Sequence, residues 1–379
     1  MNLNLSTISV LPPVDNSPRR QLLTPLPTPG EFLLVLDNSS LEKFTTCPTA
    51  AKNYLVLGRE AHARNAALVF GGAVHAGLEK LLVGASPQLQ DEAIVNHFAK
   101  HPTPPDEYRT PACALEVLKH YRVRSTFPDY QWELLSDAKG VLVERAFELP
   151  LGVIEVNDFI SMPWLAESEI HRLALPFADE GYIQERHSEL LAQNRTHLVW
   201  VTKIHVAWSG RIDAVARANG MARVVDHKTT SIAGDQVIQD FHLSNQTIGY
   251  VWACQQLWPD LQVQGFCGNF IHLKKPNKGQ GLMDRGIRGG EPPLNFFRAY
   301  FEYSPERLAW WHNNVIHIVS DFIHNLVRDY FPSHTKWCFG KYGACPYHNV
   351  CSQDSDALRA SMLNSDMFRP VTWNPLADR

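Results

Sequence analysis

The pair Asn219-Gly220 constrains this chain more than any other feature, because it separates two apolar runs, Arg211–Ala218 and Ala222–Thr229. Asn-Gly between such runs is the strongest short-range signal for a two-residue type I′ turn, and that turn sets the register of the hairpin it closes. Residues equidistant from the turn face each other, so Asp213 is expected opposite Asp226, with Cβ atoms about 4.5–5.5 Å apart. Lys228 follows Asp226 by two positions and points to the same face. Two carboxylates placed directly opposite repel unless a cation lies between them. Both sit in apolar strands, Ala214-Val215-Ala216 and Val224-Val225, which argues against a solvated surface hairpin. A hard divalent cation such as Mg²⁺ prefers carboxylate oxygens. A lysine beside it would orient or help deprotonate water, or stabilise charge developing on a phosphate. The set suits hydrolysis of a phosphodiester.

The rest of the chain reads as helices and strands around that hairpin. Residues 1–30 carry six prolines and are expected to form a flexible leader. Helices are predicted over Ser39–Leu57, with Ser39 or Ser40 as N-cap, over Ala66–Val83 and over Ala114–Val123. Phe70, Val74, Leu78 and Leu81 make one apolar stripe on the second of these, and His75 lies off it. Val141–Leu149 is predicted as a strand, and residues 150–198 as an irregular insertion with short helices. Val199–Trp208, Arg211–Ala218 and Ala222–Thr229 follow as successive strands, Ser244–Leu257 as a helix, Val263–Leu273 and Asn295–Tyr303 as strands, and Pro305–Asp329 as a long helix. The loop between the last two strands holds Lys274, Lys275, Lys278, Arg285 and Arg288, either a solvated loop or a phosphate-tracking one suited to single strands.

These residues and their order resemble the PD-(D/E)XK nuclease superfamily, in particular its RecB-like branch. There an acid on one strand is followed by acid-x-Lys on the next, as in Gly210-Arg211-Ile212-Asp213 and Asp226-His227-Lys228. The branch also carries a histidine after a small-residue segment, matched by Phe70-Gly71-Gly72-Ala73-Val74-His75, and Gln-x-x-x-Tyr on the next helix, matched by Gln246 and Tyr250. The four motifs span roughly residues 70–250. The resemblance implies that His75, Asp213, Asp226 and the backbone carbonyl of His227 bind metal. Lys228 would be catalytic, and Gln246 and Tyr250 would contact DNA or brace the site. Glu144 stands where such enzymes often carry an acid.

Seven cysteines are an odd number for a secreted disulfide framework. Cys338, Cys345 and Cys351 lie close enough in sequence for one loop to present three thiolates to one centre. Four thiolates, or three with His334 or His348, would suit zinc. The resemblance extends to iron–sulfur nucleases of the AddB and CRISPR-associated kinds, in which one cysteine precedes the core and three follow. It implies a 4Fe–4S cluster on Cys47, Cys338, Cys345 and Cys351, stapling the N-terminal helix to the tail, with zinc as the alternative. Cys113, Cys254 and Cys267 are expected to pack.

The expected fold is therefore α/β: a restriction-endonuclease-like core with a mixed central sheet flanked by helices, a helical insertion and an iron–sulfur clasp. One nuclease domain is expected over 31–355, with a helical region at 39–135, the catalytic core at 140–330, the clasp at 333–352 and a tail at 353–379. The expected activity is a Mg²⁺- or Mn²⁺-dependent deoxyribonuclease. It would act as an exonuclease on single-stranded or end-processed DNA, in recombination, repair or the metabolism of viral or mobile DNA. A structure-selective endonuclease and a non-cleaving DNA-end-binding module are the alternatives. A net charge of −4 requires DNA contact to be local. No nucleotide-binding P-loop is present, so any motor would belong to a separate helicase or recombination partner. No apolar run approaches the ~20 residues of a membrane helix, and no basic-then-apolar leader opens the chain. A cytoplasmic location is expected.

Overall fold

The computed structural model describes residues 22–62, 66–102, 108–218, 220–232, 234–285, 290–340 and 343–371. The chain forms two compact units, each assembled from separated segments. The first comprises Met1–His62, Glu148–Gly210 and His312–Ala377, and the second Ala63–Phe147, Arg211–Trp311 and Asp378–Arg379.

The second unit is built on the hairpin. Its first helices are α1 (Ala66–Leu82), α2 (Pro87–Lys100) and α3 (Pro111–Ser125), and the last two start where the sequence supplies caps. Ser86 accepts from the Leu89 amide and Thr110 from the Cys113 amide, each followed by proline at the first helical position. Strand β1 (Val143–Ser161) begins in this unit, and β2 (Leu198–Ala218) ends in it. Then come β3 (Met221–Thr230), α4 (Asn245–Leu257), β4 (Gly265–Leu273) and β5 (Leu294–Glu302).

β2 and β3 pair antiparallel from Ala218↔Met221 to Ala214↔Val225, the register expected from the turn, and Asp213 and Asp226 are next in line. Gly220 has φ +75°, the left-handed conformation that a I′ turn demands, while Asn219 lies outside the described residues. β3 and β4 are parallel, with α4 as the crossover between them, and β5 returns antiparallel to β4. The sheet is therefore mixed. Every residue of β4 is buried, as befits an interior strand covered on both faces. Phe70, Val74 and Leu78 of α1 join Ile94, Leu118, Tyr121 and Ile271 in the core, so the predicted stripe is the buried one.

In the first unit Glu31–Leu36 pairs parallel with β2 from Lys203 to Trp208. Of the expected leader, residues 1–21 lie outside the described residues. Leu22 and Leu23 are buried, and Thr24–Pro25 pairs with Phe32 and Leu33. The helix expected over Ser39–Leu57 is instead Asn38–Thr46, capped by Asp37, followed by a short turn Pro48–Ala51 and a π-turn Lys52–Val56. Pro48 explains the break: it disfavours helical backbone at Cys47, which is extended at φ −159°, and then opens the next turn. The insertion expected over 150–198 begins as the continuation of β1 to Ser161, and helices Glu167–Ala174 and Gly181–Ala192 follow. The strands expected at Val199–Trp208 and Arg211–Ala218 are one strand, β2, running through Ser209-Gly210. The long helix Pro305–Arg328 matches its expected span to one residue. No helix among the described residues is long and apolar enough to cross a membrane.

Candidate active site

The hairpin delivers Asp213 and Asp226 into the interior of the second unit, where they are 2% and 1% exposed. His75 reaches Asp213 from α1, with its Nε2 2.5 Å from Oδ2, and its Nδ1 lies 3.5 Å from Glu144 Oε1. Both ring nitrogens thus face carboxylates. One ligand atom from each of His75, Glu144 and Asp213 falls within 4.8 Å of the others, the dimensions of a cation site. The two carboxylates suit a hard divalent cation, and the borderline imidazole nitrogen favours Mn²⁺ over Mg²⁺ within that class. The His227 amide donates to Asp213 Oδ2 at 2.9 Å and fixes the carboxylate's rotation.

Asp226 makes a second cluster beside the first. Lys228 Nζ stands 2.9 Å from its Oδ2, and the Gln246 side-chain amide donates to its Oδ1 at 3.1 Å. Oδ2 is buried and receives no well-directed hydrogen bond among the described residues, so a lone pair remains for a cation. The two acids lean in opposite directions. Burial pushes both up, but at Asp213 the charge and hydrogen bond of His75, helped by Lys228, overcome it and hold the carboxyl well below its ordinary range. At Asp226 burial prevails over Lys228, and the charge of Asp213 adds to it, so this carboxyl is raised. A cation near both would remove that penalty.

α1 comes this close because residues 71 and 72 lack side chains. A Cβ on Gly71 would stand 2.9 Å from Thr229 Oγ1 on β3, and one on Gly72 would stand 2.6 Å from His97 Nε2 on α2. Gly71 lies one turn before His75 on the same helix face. Glu144 reaches the site through φ +50° at its own position, a conformation that costs about 1–3 kcal/mol in a non-glycine residue. Arg211 supports it, with Nη1 donating to the Glu144 carbonyl at 3.4 Å and Nε 3.9 Å from Oε2. Arg211 is not singled out by its sequence, yet it stands two residues before Asp213 on one strand, a spacing that places both on one face.

Gln246 and Tyr250 share one face of α4, as their spacing predicts, but they do different things. Gln246 holds Asp226, whereas Tyr250 is buried edge-on against Phe147 at 5.8 Å. The His227 ring points into the core, where Nδ1 pairs with Asn269 Nδ2 at 2.7 Å, and burial pushes its pKa down to about 3. Of the basic loop, Lys274, Lys275, Lys278 and Arg285 are exposed, and Arg288 lies outside the described residues.

The four candidate cysteines all lie in the first unit. Cys47 precedes the turn Pro48–Ala51, Cys345 donates its amide to the Cys338 carbonyl at 2.8 Å, and Cys351 ends the helix His348–Cys351. Burial raises the Cys351 thiol, and the charges of Cys345, Cys47 and Cys338 raise it further. Cys345 is raised in the same way by burial, then by Cys47 and Cys338. His334 Nδ1 lies 3.0 Å from the Thr46 carbonyl, and His348 packs on Phe339. Burial pushes the thiols of Cys113 and Cys267 to about 11, and Cys254 also upward, as packing residues require.

A family model of the PD-(D/E)XK nuclease superfamily matches residues 38–352. No curated protein matches the chain.

Proposed function

This chain belongs to the PD-(D/E)XK nuclease superfamily, and from that premise we propose that it is a Mg²⁺- or Mn²⁺-dependent deoxyribonuclease that degrades single-stranded or end-processed DNA as an exonuclease. The observation that carries the reading is the convergence of Asp213, Asp226 and Lys228 on one face of a hairpin, with His75 and Glu144 closing the group. His75, Glu144 and Asp213, with Asp226 and the His227 carbonyl alongside, would hold the cation. When bound it would polarise the scissile phosphate and ease deprotonation of water. The protein's own part is orientation and charge. The His227 amide and Gln246 lock the two carboxylates, and Lys228, 30% exposed, presents a mobile proton and a positive charge where a phosphate would gain charge. Tyr250 braces α4 from behind. The exposed Lys274, Lys275, Lys278 and Arg285 would track the strand's phosphates.

The test is digestion with Mn²⁺ of 5′- and 3′-labelled linear DNA and of circular single strands, with Asp226→Ala as control. An exonuclease leaves circles intact; nicked circles would show an endonuclease, and binding without cleavage an end-binding module. Lys228→Met is expected to lower the single-turnover rate about 10²-fold or more. The same variant should keep the rise in melting temperature produced by Mn²⁺, because the ligands remain. A variant that cleaves at the wild-type rate would remove Lys228 from the chemistry.

A 4Fe–4S cluster would be held by Cys47, Cys338, Cys345 and Cys351, with zinc as the alternative metal. Burial and the charges of neighbouring cysteines raise the thiols of Cys345 and Cys351, so holding these two as thiolates is costly unless a cation binds them. Protein purified without oxygen is expected to be brown, to absorb at about 400 nm and to contain iron and sulfide. Cys351→Ser should bleach it and lower its melting temperature. A colourless protein with stoichiometric zinc would replace the cluster by zinc. In the cell such an enzyme would act in the cytoplasm in recombination, repair or mobile-DNA processing, with a separate helicase or recombination protein supplying the motor.

A further inference from the structure

Exposed aromatic rings elsewhere in this protein have a neighbour on them. Arg124 lies over Phe127, Arg307 lies over Trp310, and Tyr182 meets Trp200. The stretch Tyr330–Phe339 of the first unit is different. Tyr330, Trp337 and Phe339 are 67%, 55% and 70% exposed. Tyr330 and Trp337 have no ring or cation partner among the described residues, and Phe339 meets the ring of His348 at 4.7 Å. Single apolar residues on a surface are ordinary, but a group of them marks a place where something binds.

The backbone under these rings is fixed. Thr335–Trp337 is a tight 3₁₀ turn, in which the Trp337 amide donates to the His334 carbonyl at 3.0 Å and the Cys338 amide to the Thr335 carbonyl at 3.1 Å. Phe339 pairs across a short ladder with Ala344, and the Cys345 amide donates to the Cys338 carbonyl at 2.8 Å. His334 Nδ1, 3.0 Å from the Thr46 carbonyl, ties the turn to the helix Asn38–Thr46. Rings on so firm a base lose little freedom when a flat partner stacks on them.

Charge selects the partner. No Asp or Glu occurs from Tyr330 to Gln353, a stretch that carries Lys336, Lys341, His334 and His348 in a chain of net charge −4. Lys336 is exposed next to Trp337, and Lys341 lies outside the described residues. Of the acids that flank the stretch, Asp329 is 3.0 Å from Lys52 and Asp356 is 2.8 Å from Arg359, which leaves Asp354. The charges acting on the Cys345 and Cys351 thiols are those of other cysteines and, at Cys351, of Arg359; no carboxylate is among them. Accessible rings with lysine beside them and no acid between them suit a polyanion built of flat units.

We infer that Trp337 and Phe339 form a stacking platform for the bases of single-stranded DNA, with Lys336 on the phosphates of the strand. None of these residues belongs to the candidate active site. The choice of DNA rests on the nuclease reading. Single strands are preferred because their bases are free to stack on an aromatic face, whatever the sequence.

The experiment is fluorescence anisotropy of the full-length protein in EDTA, which prevents cleavage. The probes are labelled oligothymidylate, an abasic strand of the same length and charge, and the oligothymidylate–oligodeoxyadenylate duplex. Oligothymidylate should bind more tightly than either of the others. Trp337→Ala and Phe339→Ala should each weaken its binding about tenfold, with no change for the abasic strand. Trp337→Phe, which keeps a stacking face, should bind within about threefold of wild type. Lys336→Gln should lower the slope of log affinity against log salt by about 0.7. All four positions of change are exposed, so melting temperatures should stay at the wild-type value; should Trp337→Ala melt early, Phe339→Ala and Lys336→Gln decide. Wild-type affinity in both alanine variants would overturn the inference and leave the rings to a protein partner. Equal losses with the abasic strand, or a duplex bound as tightly as the single strand, would overturn it as well. A chain that binds oligothymidylate through Trp337 but cuts nothing with Mn²⁺ would refute the nuclease and leave the platform standing. Cleavage by a chain whose alanine variants bind like wild type would do the reverse.

Discussion

Asp213→Asn and Asp226→Asn are each expected to lower metal-dependent cleavage by about 10³-fold or more, with the fold intact. Each replaces a buried carboxylate by a neutral group of the same shape. In the Asp213→Asn variant the side-chain carbonyl would still accept from the His227 amide, which now donates at 2.9 Å, so that buried amide is not stranded. What disappears is the negative charge that His75 and Lys228 hold on Asp213, and with it one oxygen of the cation group. At Asp226 the neutral amide would also end the repulsion between the two acids. Stability and activity therefore move apart: the Asp226 variant should melt no earlier than wild type in EDTA while failing to cleave. Wild type should gain about 2.7 kcal/mol when Mn²⁺ is raised to a hundred times its dissociation constant, and Asp213→Asn should gain little. Single-turnover cleavage and thermal melts with and without Mn²⁺ read both effects. Activity surviving in either variant would dismantle the site.

Gly71→Ala should cost about 10²-fold in rate although it adds only a methyl group, because displacement of a reacting group by about 1 Å is enough for that loss. The new Cβ would stand 2.9 Å from Thr229 Oγ1, on a β-branched side chain with little freedom to turn away. α1 must then move off β3 and take His75 with it. Alanine's helix propensity works the other way, by about 1 kcal/mol, so stability would change little while activity falls. Thr229→Ala in the same chain removes the obstructing oxygen, and the double variant should recover most of the rate. Four rates make a double-mutant cycle. A Gly71→Ala enzyme as fast as wild type would mean that this close approach does not place His75.

Local chemistry makes the hairpin legible. Asn219-Gly220 allows one turn geometry, and that geometry dictates every partner up to Ala214↔Val225. The helix α1 and its stripe are legible for the same reason, since periodicity reports the buried face directly. β1 and β2 are misread where proline and glycine stand in a strand: Pro150 and Gly152 in β1, Ser209-Gly210 in β2. Such residues usually end strands, yet Gly152 is used here for close approach, with Ile316 3.3 Å from where its Cβ would be. Cys47-Pro48 is misread in the opposite sense, as helix interior. Arg211 escapes notice because its partner Glu144 is brought near by a positive φ, which no pattern of polar and apolar residues encodes. The division of labour between Gln246 and Tyr250 is hidden too, because spacing gives a shared face and not what that face meets.

The pairing of Arg59–Ala61 with Phe368–Pro370 bears on how the protein is made. Roughly 300 residues separate the two strands, so a ribosome adding 5–20 residues per second delivers the second about 15–60 s after the first. Leu294–Glu302, the last sheet strand of the second unit, emerges well before then. The hairpin and its carboxylates can thus be assembled on the nascent chain while the first unit still waits for its closing strand. Loss of only the last few described residues would leave Arg59–Ala61 without a partner and expose the apolar cluster around Tyr347 and Phe368. A stop codon that removes Phe368–Pro370 is therefore expected to damage the first unit as much as one placed far upstream.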